Sequence, residues 1–182
     1  MRPKKGNLLN NPLRRSLRLH NFDYTQEGGY FITLCTAVRL PLFGAVVGDQ
    51  VVLSQIGKIV ECEWLRSEVV RREVVLDEFV IMPNHFHAVV FIIYGDELRS
   101  PSPDKAHCRA PLQRSARSLG TLIAQFKTAV TTRARREMRL PNQAIWQRNY
   151  YDHIIRNDRE LYQIRNYIRE NPLKWQLDKY HR

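Results

Sequence analysis

Residues 81–93 read IMPNHFHAVVFII, and the architecture is decided there. Pro83-Asn84 is a turn dipeptide, and a proline cannot donate to a sheet ladder. The flanking apolar runs, EVVLDEFVIM (73–82) and HFHAVVFII (85–93), are therefore expected to be two strands pairing antiparallel across a tight turn. Successive side chains on a strand point to opposite faces, so His85 and His87 share one face, roughly 7 Å apart along the chain, while Phe86 faces the other way. Two imidazoles on one face of a central strand are half of a metal site. Their bland alternative is a pair of satisfied polar residues.

Upstream, GGYFITLCTAV (28–38) is β-branched and aromatic and opens on glycines, which predicts a strand from about Tyr30 to Val38. In FGAVVGDQVVL (43–53) two short apolar runs flank Gly48-Asp49, the pattern of a small hairpin insertion. Ser54 is an N-cap candidate, and Ile56, Ile59, Val60 and Trp64 follow at helical spacing, giving a helix to about Arg71. Downstream, residues 95–117 carry three prolines, several basic residues and no periodicity, as a flexible loop would. Ser118 opens a second helix with Leu119, Leu122, Ile123, Phe126 and Val130 on one face. AIWQRNYYDHIIR (144–156) reads as a fourth core strand. Asn157, with Glu160 three residues on, begins a third helix whose stripe is Leu161, Ile164 and Ile168 and which ends at Pro172.

The order strand, helix, strand, strand, helix, strand predicts an α+β fold: a ferredoxin-like or RRM-like split βαβ antiparallel sheet with helices on one face, plus the hairpin insertion and a C-terminal helix. The other face is left as a platform for a nucleic-acid strand. One domain at residues 21–175 is expected, with a basic arm at 1–20 (RPKK, RRSLRLH) and a short tail at 176–182.

Charge narrows the partners. Against 18 Asp+Glu stand 29 Lys+Arg, a net charge of +11, which favours a polyanion, since each cation placed on a phosphate releases counterions. Cys35, Cys62 and Cys108 are odd in number and far apart, with no CxxC pair. Neither a disulfide framework nor a cysteine zinc site is indicated, and a reducing, cytoplasmic setting fits best. No window reaches the roughly 18 apolar residues of a membrane span, and a membrane partner is not expected.

On the third helix, Tyr167 and Asn171 lie one turn apart and roughly 40° apart in azimuth, at the margin of the apolar stripe. Without further support they are a border tyrosine and a helix-ending asparagine. The support is a resemblance. MPNHFHAVV, AQFKTAVT, IWQRNYYDHIIR and YIRENPLKW, with the upstream RRSLRLHNFDYTQEGGYFITLCT, resemble in order the blocks of the tyrosine transposases associated with repetitive extragenic palindromes. These belong to the HUH (histidine, hydrophobe, histidine) superfamily and are related to small insertion-sequence transposases. The resemblance implies that His85 and His87 are metal ligands around Phe86, that Tyr167 is the nucleophile, and that Asn171 is the third ligand. It implies magnesium or manganese, and single-stranded or hairpin DNA with palindromic repeats as substrate. It implies cleavage through a 5′-phosphotyrosine, by a monomer or a homodimer.

The chemistry is coherent with those residues. A tyrosine hydroxyl, with a pKa of about 10, attacks an anionic phosphodiester poorly unless a divalent cation neutralises the phosphate oxygens. Pro172 disfavours helical backbone at Asn171 and would swing its side chain away, so Gln163 and His153 stand as alternative ligands. Asp152 and His153 either orient the site or satisfy one another. Lys127, Arg133, Arg135, Arg136, Arg148, Arg156 and Arg165 are candidate phosphate contacts, and Trp146, Tyr150 and Tyr151 are candidate stacking residues for unpaired bases. Two rival functions are a non-catalytic single-stranded nucleic-acid-binding module and a metal hydrolase acting on a small phosphoester.

Overall fold

The structure, a computed structural model, describes residues 26–94, 118–141 and 143–177. The expected arm (1–20), the expected loop (95–117) and the end of the expected tail (178–182) lie outside the described residues. In chain order the elements are β1 (Gly28–Cys35), β2 (Gly44–Val47), β3 (Gln50–Leu53), α1 (Gln55–Val70), β4 (Val74–Met82), β5 (His85–Ile92), α2 (Leu119–Met138), β6 (Tyr151–Ile155) and α3 (Asp158–Glu170). A 3-10 turn, Trp175–Leu177, takes up two residues of the expected tail.

Four strands form one sheet in the order β4-β5-β1-β6, with every pairing antiparallel. This is the split βαβ arrangement: β4 and β5 form the hairpin about Pro83-Asn84, with Met82 opposite His85. β2 and β3 make a separate ribbon, turned at Gly48 with φ +65°, a backbone that glycine adopts without steric cost. Side chains fix where the helices begin. Ser54 Oγ accepts from Gly57 N at 3.1 Å and donates to Leu42 O at 2.7 Å. Ser118 Oγ accepts from Thr121 N, and Asn157 Oδ1 from Glu160 N at 2.9 Å. Glu160 answers by accepting from Arg156 N at 2.8 Å, one residue earlier than in the usual reciprocal cap.

α1 and α2 pack on one face of the sheet. Phe86 points into that layer, with its ring centroid 5.0 Å from Trp64 and 5.7 Å from Phe126. Around this aromatic cluster lie Ile32, Leu34, Ala88, Val90, Leu122 and Ile123, all buried.

Several expectations need correction. The sheet's opposite face is not left free: α3 lies across part of it, and His85 and His87 are buried there, at 0% and 1% exposure. β1 ends at Cys35 and not Val38, because the chain turns at Thr36–Arg39 through a left-handed Arg39 (φ 56°) whose N donates to Thr36 O. The fourth strand is only Tyr151–Ile155. Ile145 and Trp146 ahead of it tuck into the core, with a single bridge from Trp146 to Thr36.

Lys127 secures that tucked segment. Its ammonium donates to Gln147 O at 2.8 Å and Asn149 O at 3.3 Å, which makes it a tether within the chain. Burial lowers its pKa to about 8, the nearby Cys35 acting weakly in the opposite sense. No helix among the described residues is long and apolar enough to cross a membrane.

Truncating Phe86 to Ala should cost roughly 3–5 kcal/mol in urea unfolding, the usual loss for a buried aromatic. Lys127 should give a pH signature. Its folded pKa lies below that of the unfolded chain, so the folded state holds fewer protons between about pH 8 and 10.5 and this residue's contribution to stability rises through that window. Urea midpoints of wild type relative to Lys127→Met should climb from pH 8 to 10; parallel curves would show that the ammonium is not desolvated.

Candidate active site

The site is built on the face of β5 turned away from Phe86. Antiparallel pairing sets Thr33 opposite His87 and Cys35 opposite His85. The two imidazoles lie 4.5 Å apart between ring centroids. Each ring is held at Nδ1. His85 Nδ1 is 2.9 Å from Asn84 Oδ1, and the amide's orientation is fixed because Asn84 Nδ2 donates to Arg39 O at 3.1 Å. An amide oxygen only accepts, so His85 Nδ1 is the donor and Nε2 carries the lone pair. His87 Nδ1 is 2.8 Å from Thr33 Oγ1. With Nδ1 donating to that hydroxyl, Nε2 of His87 is also an acceptor. Partners at Nδ1 that leave Nε2 basic are the usual support of a metal-binding histidine.

α3 brings Tyr167 to this pair. The phenol oxygen is 3.3 Å from His87 Nε2, and the two rings are 5.2 Å apart. Phe31 stacks on His87 at 5.3 Å and meets Tyr167 edge-on at 6.0 Å. Tyr167 remains 41% exposed, at the end of an open groove of about 340 Å³ lined by Phe31, Tyr151, His153, Glu160, Gln163, Ile164 and Tyr167.

Asn171 lies one turn beyond Tyr167 and is 3% exposed. Against expectation its backbone is helical, φ −58° and ψ −42°. The steric penalty before proline is a preference, and here the chain winds on past it: Lys174 N donates to Glu170 O and Asn171 O, and Trp175 N to Pro172 O. One further turn on, Trp175 lies over His85, 5.9 Å between ring centroids. Tyr167, Asn171 and Trp175 thus recur every four residues along the segment that borders the two histidines.

Asn171 Oδ1 is buried with no hydrogen-bond partner among the described residues. A buried amide oxygen in that condition costs free energy unless something compensates it. No group of three His, Cys, Asp or Glu side chains among the described residues is placed to hold a metal, so a third ligand drawn from those residues would be of another type. Two imidazole nitrogens and one amide oxygen are a donor set that a divalent ion such as manganese accepts.

The other candidates are scattered. Gln163 is exposed on the groove wall. His153 Nε2 pairs with Glu160 Oε1 at 2.6 Å; the bond from Arg156 N and, after it, this imidazole contact hold the Glu160 carboxyl below its usual pKa. Asp152 and His153 do not satisfy one another, because they are consecutive on β6 and point to opposite faces. Asp152 is instead buried.

Of the basic set, Arg133 is engaged by Glu137 at 2.7 Å, Glu63 at 3.1 Å and Cys62 at 2.9 Å. Arg135 donates to Gln143 O, and Arg165 is bound to Asp77. Arg136, Arg148 and Arg156 are exposed. Trp146 is 8% exposed and packs on Phe43 and Phe126, so it offers no face to a base, a correction to its expected stacking role. Tyr150 is half-buried beneath Lys127, whereas Tyr151 is 45% exposed on the groove. Sequence reading missed Phe31, Thr33, Asn84 and Trp175. Register alone would have placed Phe31 and Thr33 beside the histidines once β1 was paired with β5.

No family model matches the chain. An "Uncharacterized protein" of Haemophilus influenzae is 37% identical over 175 residues, 91% of this chain and 92% of its own length. A second Haemophilus influenzae protein, described as a "Putative REP-associated tyrosine transposase", is 30% identical over 97 residues, 44% of this chain and 55% of that protein. Among solved structures, a REP-associated tyrosine transposase bound to a REP hairpin matches with a TM-score of 0.59 at 18% identity, over 89% of this chain and 76% of that one. The chain therefore belongs to one family with the first Haemophilus protein, and in sequence and in fold it is similar to the REP-associated tyrosine transposases.

Proposed function

We propose that the chain is a metal-dependent single-stranded DNA endonuclease and strand transferase that cleaves at palindromic repeat hairpins with Tyr167 as its nucleophile. One observation carries this reading: a phenol oxygen 3.3 Å from an imidazole nitrogen of the His85/His87 pair, with the buried Asn171 amide a turn away. The similarity to a transposase whose solved structure holds a REP hairpin supports hairpin DNA as the substrate class.

In this reading the Tyr167 oxygen attacks phosphorus and the bond from phosphorus to the 3′-oxygen breaks. The phenol, open to the groove, loses its proton to solvent, and the leaving 3′-oxygen takes one up. The products are a 5′-phosphotyrosyl link and a 3′-hydroxyl, and the link keeps the phosphoryl group activated so that another 3′-hydroxyl can reverse the step. His85, His87 and Asn171 would hold a divalent cation, magnesium or manganese. Such an ion would supply charge neutralisation for the reacting phosphate. His87 Nε2 has one lone pair, so it serves the phenol and a cation in turn. Thr33 and Asn84 keep both rings in the tautomer a cation needs, and Phe31 fixes His87 and Tyr167 against each other. Tyr151, on the same groove, is placed to stack on an unpaired base, while the exposed Arg148 and Arg156, and Arg136 beside Glu137, are among the cations that could meet phosphates.

Hairpin DNA with single-stranded flanks, incubated with the protein and manganese, should yield a covalent adduct that Tyr167→Phe abolishes. An adduct surviving that change would move the nucleophile to Tyr150 or Tyr151, and no adduct with any divalent ion would leave a non-catalytic nucleic-acid-binding module. Thr33→Val and Asn84→Ala should each weaken manganese binding by roughly 10–100-fold in calorimetric titration, the usual effect of removing a partner from a ligating histidine.

A further inference from the structure

We infer that Asp77 and Glu78 are positioning residues: an irregularity in β4 turns both carboxylates onto Arg165 and Arg169 of α3, and this clamp sets the rotation that points Tyr167 at His87. The inference rests on the reading of Tyr167 as nucleophile.

α3 has little apolar attachment. Of its thirteen residues, Ile168 is the one that is buried, with Leu161 and Ile164 partly so. So narrow an apolar stripe defines the helix's rotation loosely, and a shift of one residue would carry Tyr167 through about 100°, off the imidazoles. Polar contacts can supply the precision that the stripe lacks. β4 pairs Leu76 with Val90 and then Phe79 with Ala88, so Asp77 and Glu78 together occupy the length of one residue on β5. In a regular strand two neighbours point to opposite faces. An extra residue breaks that alternation and re-aims a side chain, and such bulges are frequent beside active sites.

Here both carboxylates reach the same helix. Arg165 grips Asp77 with two nitrogens, Nε at 2.9 Å and Nη2 at 2.6 Å from Oδ2. Asp77 Oδ1 also accepts from Glu78 N at 2.8 Å, which holds the carboxylate in place. Arg169, one turn further, meets Glu78 through Nε at 3.0 Å and through Nη2. The two arginines bracket Tyr167 in sequence. A guanidinium that meets a carboxylate through two N–H groups is held in direction as well as distance, so two such pairs a turn apart fix both the rotation and the axial position of α3. The same pairing withdraws Arg165 and Arg169 from the pool of phosphate contacts.

Partly exposed ion pairs add little to global stability, so the clamp should be read in rate and in local order more than in unfolding. The test uses the full chain as Asp77→Arg, Arg165→Asp and the double exchange, with Asp77→Asn held in reserve should a reversal fail to fold. Adduct formation on hairpin DNA with single-stranded flanks is followed at saturating DNA and manganese. Hydrogen exchange of residues 158–170 is followed with neither. Each single change should slow adduct formation about tenfold or more, as misplacement of a reacting group does, with DNA affinity within about threefold and urea midpoints close to wild type. Exchange in α3 should quicken while exchange in the sheet stays unchanged, and the double exchange should restore both rate and protection. Wild-type rates and protection in the single variants, or a double exchange no better than either, would overturn the clamp. If wild type forms no adduct at all, the proposed chemistry fails, and the exchange data still decide whether the carboxylates hold the helix.

Discussion

The alternation of side chains along β5 is the constraint on which the rest depends. Phe86 is wedged between Trp64 and Phe126, and a strand anchored so on one side has no freedom to turn what it carries on the other. His85 and His87 are therefore delivered to the opposite face as a rigid pair. A slip of one residue in the register against β1 would send both into the aromatic layer, where Thr33 could not reach Nδ1 of His87. The apolar core and the candidate site are two faces of one packing decision.

That decision also explains how the protein spends its charge. A net +11 suggests a broad basic surface, yet several cations are committed internally. Lys127 holds the segment before β6, Arg133 ties α2 to Glu63 on α1, and Arg165 and Arg169 tie α3 to β4. Among the described residues, Arg148 and Arg156 are exposed cations open to a polyanion. They flank β6, whose Tyr151 lines the same groove as Tyr167.

Much of this was legible from local chemistry. The β4–β5 turn, the shared face of His85 and His87, and the caps Ser54, Ser118 and Asn157 are each set by a few neighbouring residues, and each is found in the structure. What sequence did not disclose is tertiary. Trp146 reads as a strand aromatic, but its place is decided by a cavity beside Phe43 and Phe126. Asp77 and Glu78 read as ordinary alternating positions, since an inserted residue leaves no compositional mark. The resemblance brings α3 to the face of the two imidazoles, but its rotation there is tertiary, set by contacts with Asp77, Glu78, Phe31 and His87. At Asn171 the local rule about proline was outweighed by the turn that continues to Trp175.

The proposed chemistry turns on His85, His87 and Asn171 sharing one cation beside the Tyr167 phenol. A crystal of the protein soaked in manganese, measured at the manganese absorption edge, is the sharpest check. An anomalous peak is expected within bonding distance of both Nε2 atoms and of Asn171 Oδ1. A peak elsewhere, or well-ordered imidazoles with no peak between them at saturating manganese, would contradict it.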